Sequence, residues 1–113
     1  LLPIKLKASP DLDFSLYCNH VEICGKIIQL GTPRYTPAGI IITELKLGHQ
    51  SYQTEAGSQR KVICELPAIA IANVAEKIFS MGAGSNVKLV GFLAAKGRMS
   101  DQLILHVRDA TLI

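Results

Sequence analysis

The sequence contains no tryptophan, and its aromatic side chains are three tyrosines and three phenylalanines among 113 residues. So few rings leave little for a base-stacking surface or an aromatic-lined ligand cavity, and binding chemistry must draw mainly on other groups. Cysteine is scarce as well. Cys18, Cys24 and Cys64 are odd in number and form no C-x-x-C pair, which excludes the even disulfide framework of a small secreted domain and points to a reducing, cytoplasmic setting. No apolar run approaches the roughly eighteen residues of a spanning helix, and Leu1-Leu2-Pro3-Ile4-Lys5 lacks the long apolar core of a signal peptide. The residues argue against membrane insertion and secretion. Catalytic and cofactor signatures are missing too: His20, His49 and His106 are scattered, and there is no H-x-x-x-H, no carboxylate pair at helical spacing and no Gly-Lys-Ser/Thr phosphate loop. Neither an enzyme nor a bound cofactor is expected.

What is present is enough for one compact domain. The chain weighs 12.2 kDa, and its 49% hydrophobic and 19% charged residues fit a globular fold rather than a disordered or coiled-coil chain. It begins with Leu rather than Met, so residues 1–16 are read as a leader of doubtful structural importance and residues 17–113 as the domain. Lys5 and Lys7 cancel Asp11 and Asp13, so the whole net charge of +3 falls on residues 17–113. That balance is too small to identify a nucleic-acid binder by itself, and the positions of the charges matter more than their sum.

From Tyr17 onward the pattern has period two. Val21, Ile23, Gly25 and Ile27 alternate with Glu22, Cys24, Lys26 and Ile28, as a half-buried strand requires. Gly31-Thr32-Pro33-Arg34-Tyr35-Thr36-Pro37-Ala38-Gly39 then reads as a nine-residue loop, because its prolines and glycines break a ladder. Ile41, Thr43, Leu45 and Leu47 mark a second strand, and the polar run 51–59 reads as a long hairpin tip. The third strand covers residues 60–66 and ends, or marks an edge, at Pro67. Residues 70–80 place Ile71, Val74, Ala75, Ile78 and Phe79 at helical spacing, with Asn73 as a capping candidate. Two further strands follow, one through Val87, Leu89, Gly91 and Leu93, the other through Leu103, Leu105 and Val107. Between them lies the basic turn Lys96-Gly97-Arg98. Five strands with one short helix between strands 3 and 4 match the five-stranded Greek-key barrel known as the OB-fold. A β-sandwich would show about seven strands and no helix in mid-chain.

Barrels of this class grip single strands across the second and third strands, with help from the loops between strands 1 and 2 and strands 4 and 5. Arg34, Tyr35, Lys46, Arg60, Lys61, Lys96 and Arg98 all fall in those segments. Solubilising charge is the competing explanation, since Glu44, Glu55, Glu65 and Asp101 are interleaved. Tyr35, Tyr52 and Phe92 are the rings that an exposed position would make available for stacking. Phe79 belongs to the apolar face of the helix, and Phe14 and Tyr17 lie in or beside the leader. Cys18, His20 and Cys24 offer only three groups where a closed zinc site needs four, so no metal is expected, and a buried Cys24 and a solvated His20 are the simpler reading. Cys64, flanked on its face by Val62 and Leu66, reads as a core thiol rather than a nucleophile. Val90 and Phe92 face away from Leu89 and Leu93 and leave an apolar strip that a second copy would cover. Phe92 has base stacking as its alternative use.

Together, Asn19-His20-Val21-Glu22-Ile23-Cys24-Gly25-Lys26, the loop from Arg34 to Ile40, Gly48-His49-Gln50-Ser51 through Glu55-Ala56-Gly57, and Val90-Gly91-Phe92-Leu93-Ala94 resemble the bacterial primosomal replication protein N family, PriB. The resemblance spans residues 19–113. It implies a non-catalytic homodimer related to single-stranded DNA-binding protein, which binds single-stranded DNA and stabilises the restart helicase PriA on stalled forks. The family's basic position in the first loop falls on Arg34, and its basic loop between strands 4 and 5 on Lys96 and Arg98. Three family positions depart from the pattern: a basic residue falls on Gln50, a stacking tryptophan on Ile63 and an aromatic on Ser58. With stacking reduced, electrostatics must carry more of the affinity. Three or four phosphate contacts then imply a log–log salt slope of about −2 to −3. The rival to DNA binding is a protein-interaction OB-fold adaptor with little direct affinity for DNA.

Overall fold

A computed structural model describes residues 18–113. The leader and Tyr17 lie outside the described residues. The elements are β1 (Val21–Leu30), β2 (Arg34–Tyr35), β3 (Ile41–Glu55), β4 (Ser58–Ile71), α1 (Asn73–Met81), β5 (Asn86–Ala95) and β6 (Leu103–Leu112). Hydrogen bonding runs in the order β1-β5-β6-β4-β3-β2, and a further β1–β3 pairing closes the five long strands into a barrel. All pairings are antiparallel except β4–β6, joined in parallel at Ala68–Leu105 and Ile69–His106. The two-residue β2 lies inside the segment expected to be loop. Counting it, the helix follows the fourth strand in chain order, not the third.

Closure depends on β1 belonging to two ladders. Its residues 21–26 pair with β5, and its residues from Lys26 to Leu30 pair with β3, with an irregularity between Ile27 and Gln29. Gly25 sits at the crossover. A Cβ there would collide with the Gly48 carbonyl oxygen and reach within 3.0 Å of the Leu47 side chain. Only hydrogen fits where the two backbones approach so closely. Gly91, at the irregularity between β5 and β6, is excluded from carrying a side chain in the same way by the His106 carbonyl.

The interior is filled from every wall. Ile27, Leu47, Val87, Leu89, Leu105 and Ile78 are fully buried, and Ala68, Ala70, Ala75 and Ala110 supply the small volumes between them. Helix α1 presents Ala75 and Ile78 to this core and packs against β3, β4 and β6. It starts later than residue 70 because Ala70 and Ile71 complete β4. Asn73 is its first helical residue and Ala72 the N-cap, at φ 61° with no side-chain cap bond, so the expected Asn73 cap is absent. Thr43, the buried polar residue among those described, donates to the Gly31 carbonyl at 3.3 Å.

The hairpin differs most from expectation. Strands β3 and β4 stay paired from Ile42–Ile71 to Glu55–Ser58, and the tip is only Ala56-Gly57. Both tip residues have positive φ, 52° and 78°, as a two-residue hairpin turn with the right twist requires. Residues 51–59 are polar because the paired strands have left the barrel there and both of their faces meet water. Pro67 lies within β4 opposite Lys46, at a point where the edge of β4 towards β6 is unpaired. The same extension explains Cys64, which is exposed although it shares a face with half-buried Leu66. Cys24 is exposed too, on the outward side of the β1 alternation.

Two stability measurements follow. Gly25→Ala should lose at least about 3 kcal/mol in denaturant melts, the upper end for overpacking. Gly39→Ala, at φ +83° with open space around it, should lose only about 1 kcal/mol from backbone strain. Equal losses would contradict a tight seam. Separately, Lys77 Nζ donates to Asp109 Oδ1 at 2.9 Å, and this bond, the Ala110 N–H and the ammonium charge lower the Asp109 pKa from its ordinary 3.8. A depressed carboxyl stabilises the fold above its unfolded pKa, and the effect is lost as pH falls through the folded value. Asp109→Asn should therefore differ from wild type in melts above pH 4, and the difference should shrink below it.

Candidate nucleic-acid interface

Along β3, Leu45 and Leu47 point into the barrel, so Lys46, Gly48, Gln50 and Tyr52 point out. Their β4 partners are Pro67, Glu65, Ile63 and Lys61. On the other side of Gly48, β1 contributes Lys26, in register with it, and Ile28, whose Cγ2 lies 3.0 Å from where a Gly48 Cβ would be. Three shallow depressions follow one another along this face. The first holds Lys46, Lys96 and Glu44 beside Gly31, the second Lys26, Gly48, Gln50, Ile63 and Glu65, and the third Ile63 and Lys61 together with Glu55 and Arg60 of the hairpin's reverse face. Ile63 lies in both the second and the third. The result is a track along the hairpin, where the six residue steps from Lys46 to Tyr52 span about 20 Å.

The expected residues divide on this geometry. Lys46, Lys61 and Tyr52 stand on the track, Tyr52 directly across from Lys61 and 59% exposed. Lys96 lines its proximal end, and Arg98 is exposed on the same turn between β5 and β6. Arg34 faces it too, with its guanidinium 2.9 Å from Glu44 Oε2. Tyr35 is 67% exposed, but strand alternation sends it to the face opposite Arg34. Arg60 likewise lies on the reverse face of the hairpin, opposite Gln53, and is bound to Glu55 at 2.7 Å. Lys46 contacts Glu65 at 3.6 Å. Among the described residues, Lys26, Lys61, Lys96 and Arg98 have no carboxylate within 4.0 Å.

Lys26 was not among the expected site residues, although its alternation with Gly25 and Ile27 marks it as outward-facing. A second feature without a sequence signal ties the hairpin to β1. His49 Nδ1 lies 2.6 Å from the Cys24 carbonyl, which can only accept, so this nitrogen carries the hydrogen. In the neutral ring Nε2 then accepts from Ser51 Oγ at 2.8 Å, and Ser51 accepts from Gln53 Nε2 at 3.0 Å.

Val90 and Phe92 lie on the outer wall of β5 and are half-buried. The Phe92 ring stacks on His106 at 5.0 Å between centroids and 9° between planes, and the Arg108 guanidinium carbon lies 5.1 Å from the Phe92 centroid. Asn19 secures the neighbouring position, donating to the Leu93 carbonyl and accepting from its N–H, both at 2.9 Å. Among the described residues no group of three His, Cys, Asp or Glu side chains is placed to hold a metal ion, and no helix is long and apolar enough to cross a membrane.

Comparison with known proteins gives this architecture a family. A family profile described as "another single-strand binding protein family" matches residues 19–109. The replication restart protein PriB of Nitrosomonas europaea is 54% identical over 105 residues, covering 93% of this chain and 97% of the relative. The chain belongs to the PriB family. PriB of Bordetella pertussis is 33% identical over 95 residues, covering 84% of this chain and 89% of its own. The solved structure of PriB from Ralstonia solanacearum superposes with a TM-score of 0.74 at 25% identity, covering 84% of this chain and 98% of that one. The single-stranded DNA-binding protein of Thermus aquaticus shares the fold, with a TM-score of 0.66 at 21% identity over 84% of this chain and 50% of its own.

Proposed function

We propose that this PriB-family chain is a non-catalytic, cytoplasmic single-stranded-DNA-binding protein of replication restart. It acts as a homodimer and stabilises the restart helicase PriA on DNA. The observation that carries the DNA-binding part is the track on β3 and β4, where Lys26, Lys61, Lys96 and Arg98 flank an apolar centre at Ile63. A phosphate backbone laid along it meets cations at both ends and a 67% exposed aliphatic surface between them. Bases can rest on Ile63 and Tyr52, but only Tyr52 offers a ring, so the share of affinity from stacking is small and the share from charge is large. The names of the relatives support the role in replication restart.

Support for the dimer comes from Val90 and Phe92. With Phe92 already stacked on His106, its contribution is apolar packing surface rather than a platform for bases. The adaptor reading has its own observation in its favour: Arg34 and Lys46 are already paired with carboxylates, and Ile63 and Tyr52 would suit a protein partner.

Fluorescence anisotropy with an oligo-dT of roughly 30 nucleotides at low salt separates the two readings, because an adaptor would not saturate at micromolar protein. For the DNA-binding reading, four unpaired cations imply a log–log salt slope near −2.8, and Lys96→Glu with Arg98→Glu should flatten it by about 1.4. Thermal stability should stay nearly unchanged, since both side chains are exposed. Unaltered affinity and slope in that double variant would overturn the site assignment.

A further inference from the structure

The cations of the track are not equivalent. Lys26, Lys61, Lys96 and Arg98 stand without a carboxylate, whereas Arg34 and Lys46, towards the end that Lys96 lines, are held: Arg34 by Glu44 at 2.9 Å and Lys46 by Glu65 at 3.6 Å. Glu44 points outward from β3 beside Lys46, and Glu65 lies opposite Gly48, whose other neighbour in register is Lys26. Both carboxylates therefore occupy the ground that a phosphate backbone would cross. Building on the proposed DNA-binding role, we infer that Glu44 and Glu65 are affinity-limiting residues that compete with phosphate for Arg34 and Lys46.

A strand entering the track must exchange each carboxylate contact for a phosphate contact and leave the freed carboxylate close to its own negative charge. Exchange of one anion for another returns little free energy, and the displaced carboxylate repels the strand. Arg34 and Lys46 are thus cancelled in the resting protein, and the unpaired cations set the salt dependence.

An ion pair away from the track provides the control. Lys77 and Asp109 are joined at 2.9 Å, as tightly as Arg34 and Glu44, but stand on α1 and β6 and line none of the three depressions. Glu44→Gln, Glu65→Gln and Asp109→Asn each add the same unit of net positive charge at an exposed position. If the two track glutamates compete with phosphate, Glu44→Gln with Glu65→Gln should bind oligo-dT roughly three- to tenfold more tightly at low salt, a range set by two surface ion pairs. The salt slope should steepen by about 1.4 as two cations become available. Asp109→Asn should stay within about twofold of wild type. Equal tightening by Asp109→Asn would reduce the effect to bulk charge and overturn the inference, and so would a double variant no tighter than wild type. A wild-type chain that binds no oligo-dT would refute the DNA-binding reading and the inference with it, whereas wild-type binding with unchanged variants would refute the inference alone.

Discussion

The backbone-to-backbone approach of β1 and β3 at Gly25 and Gly48 is the constraint on which the rest of the structure depends. Because no side chain separates the strands, β1 can leave the β5 ladder and enter the β3 ladder within a few residues, and the sheet closes on itself. Closure removes the two long open edges that a five-stranded sheet would otherwise expose. It also encloses the interior that Ile27, Leu47, Leu89, Leu105 and Ile78 fill. Gly48 has a second consequence on the outside. With no side chain of its own, it leaves a low point between Lys26 and Glu65, and the track passes through it.

Shape and charge on that outer face come from different parts of the chain. The β3–β4 hairpin supplies length, since its paired strands continue beyond the barrel to the two-residue turn at Ala56-Gly57. His49 braces the extension by bonding to the Cys24 carbonyl on β1, so the ribbon is anchored past the point where the ladders separate. The turn after β5 supplies Lys96 and Arg98 at one end. Six basic side chains lie on or beside the track, but two are neutralised by neighbouring glutamates, which makes the net charge of +3 a poor guide to the field a ligand would meet. Ile63 at the centre contributes area without a π-face. Such a surface favours a ligand held by charge at spaced points over one held by stacking.

Most of the barrel was legible in the sequence because strands buried on one face announce themselves by alternation. Val21 to Ile27 and Val87 to Leu93 do so clearly, and the helix around Ala75 and Ile78 has its own period. The distal hairpin was not legible. Once both faces of a strand meet water, nothing distinguishes Ser51 through Gln59 from a polar loop, and only the φ angles at Ala56 and Gly57 reveal the turn. The same loss of pattern misplaced Cys64, whose outward or inward character depends on where the barrel ends. Among the site residues, Lys46, Lys61, Tyr52, Lys96 and Arg98 follow from strand and loop positions. The pairings of Arg34, Lys46 and Arg60 depend on cross-strand register, which a one-residue change in loop length would alter. The faces of Tyr35 and Arg60 depend on it as well.

In the proposed function, one outer face of the barrel, running from the turn after β5 along the β3–β4 hairpin, takes the nucleic-acid strand. Backbone amide chemical-shift mapping during titration with oligo-dT locates the strand residue by residue. Shifts concentrated at Lys26, Lys46, Gly48, Lys61, Ile63 and Lys96, with α1 and the Phe92–His106 wall unchanged, are the expected result. Shifts concentrated on α1 or on the Phe92–His106 wall, with the hairpin silent, would contradict it.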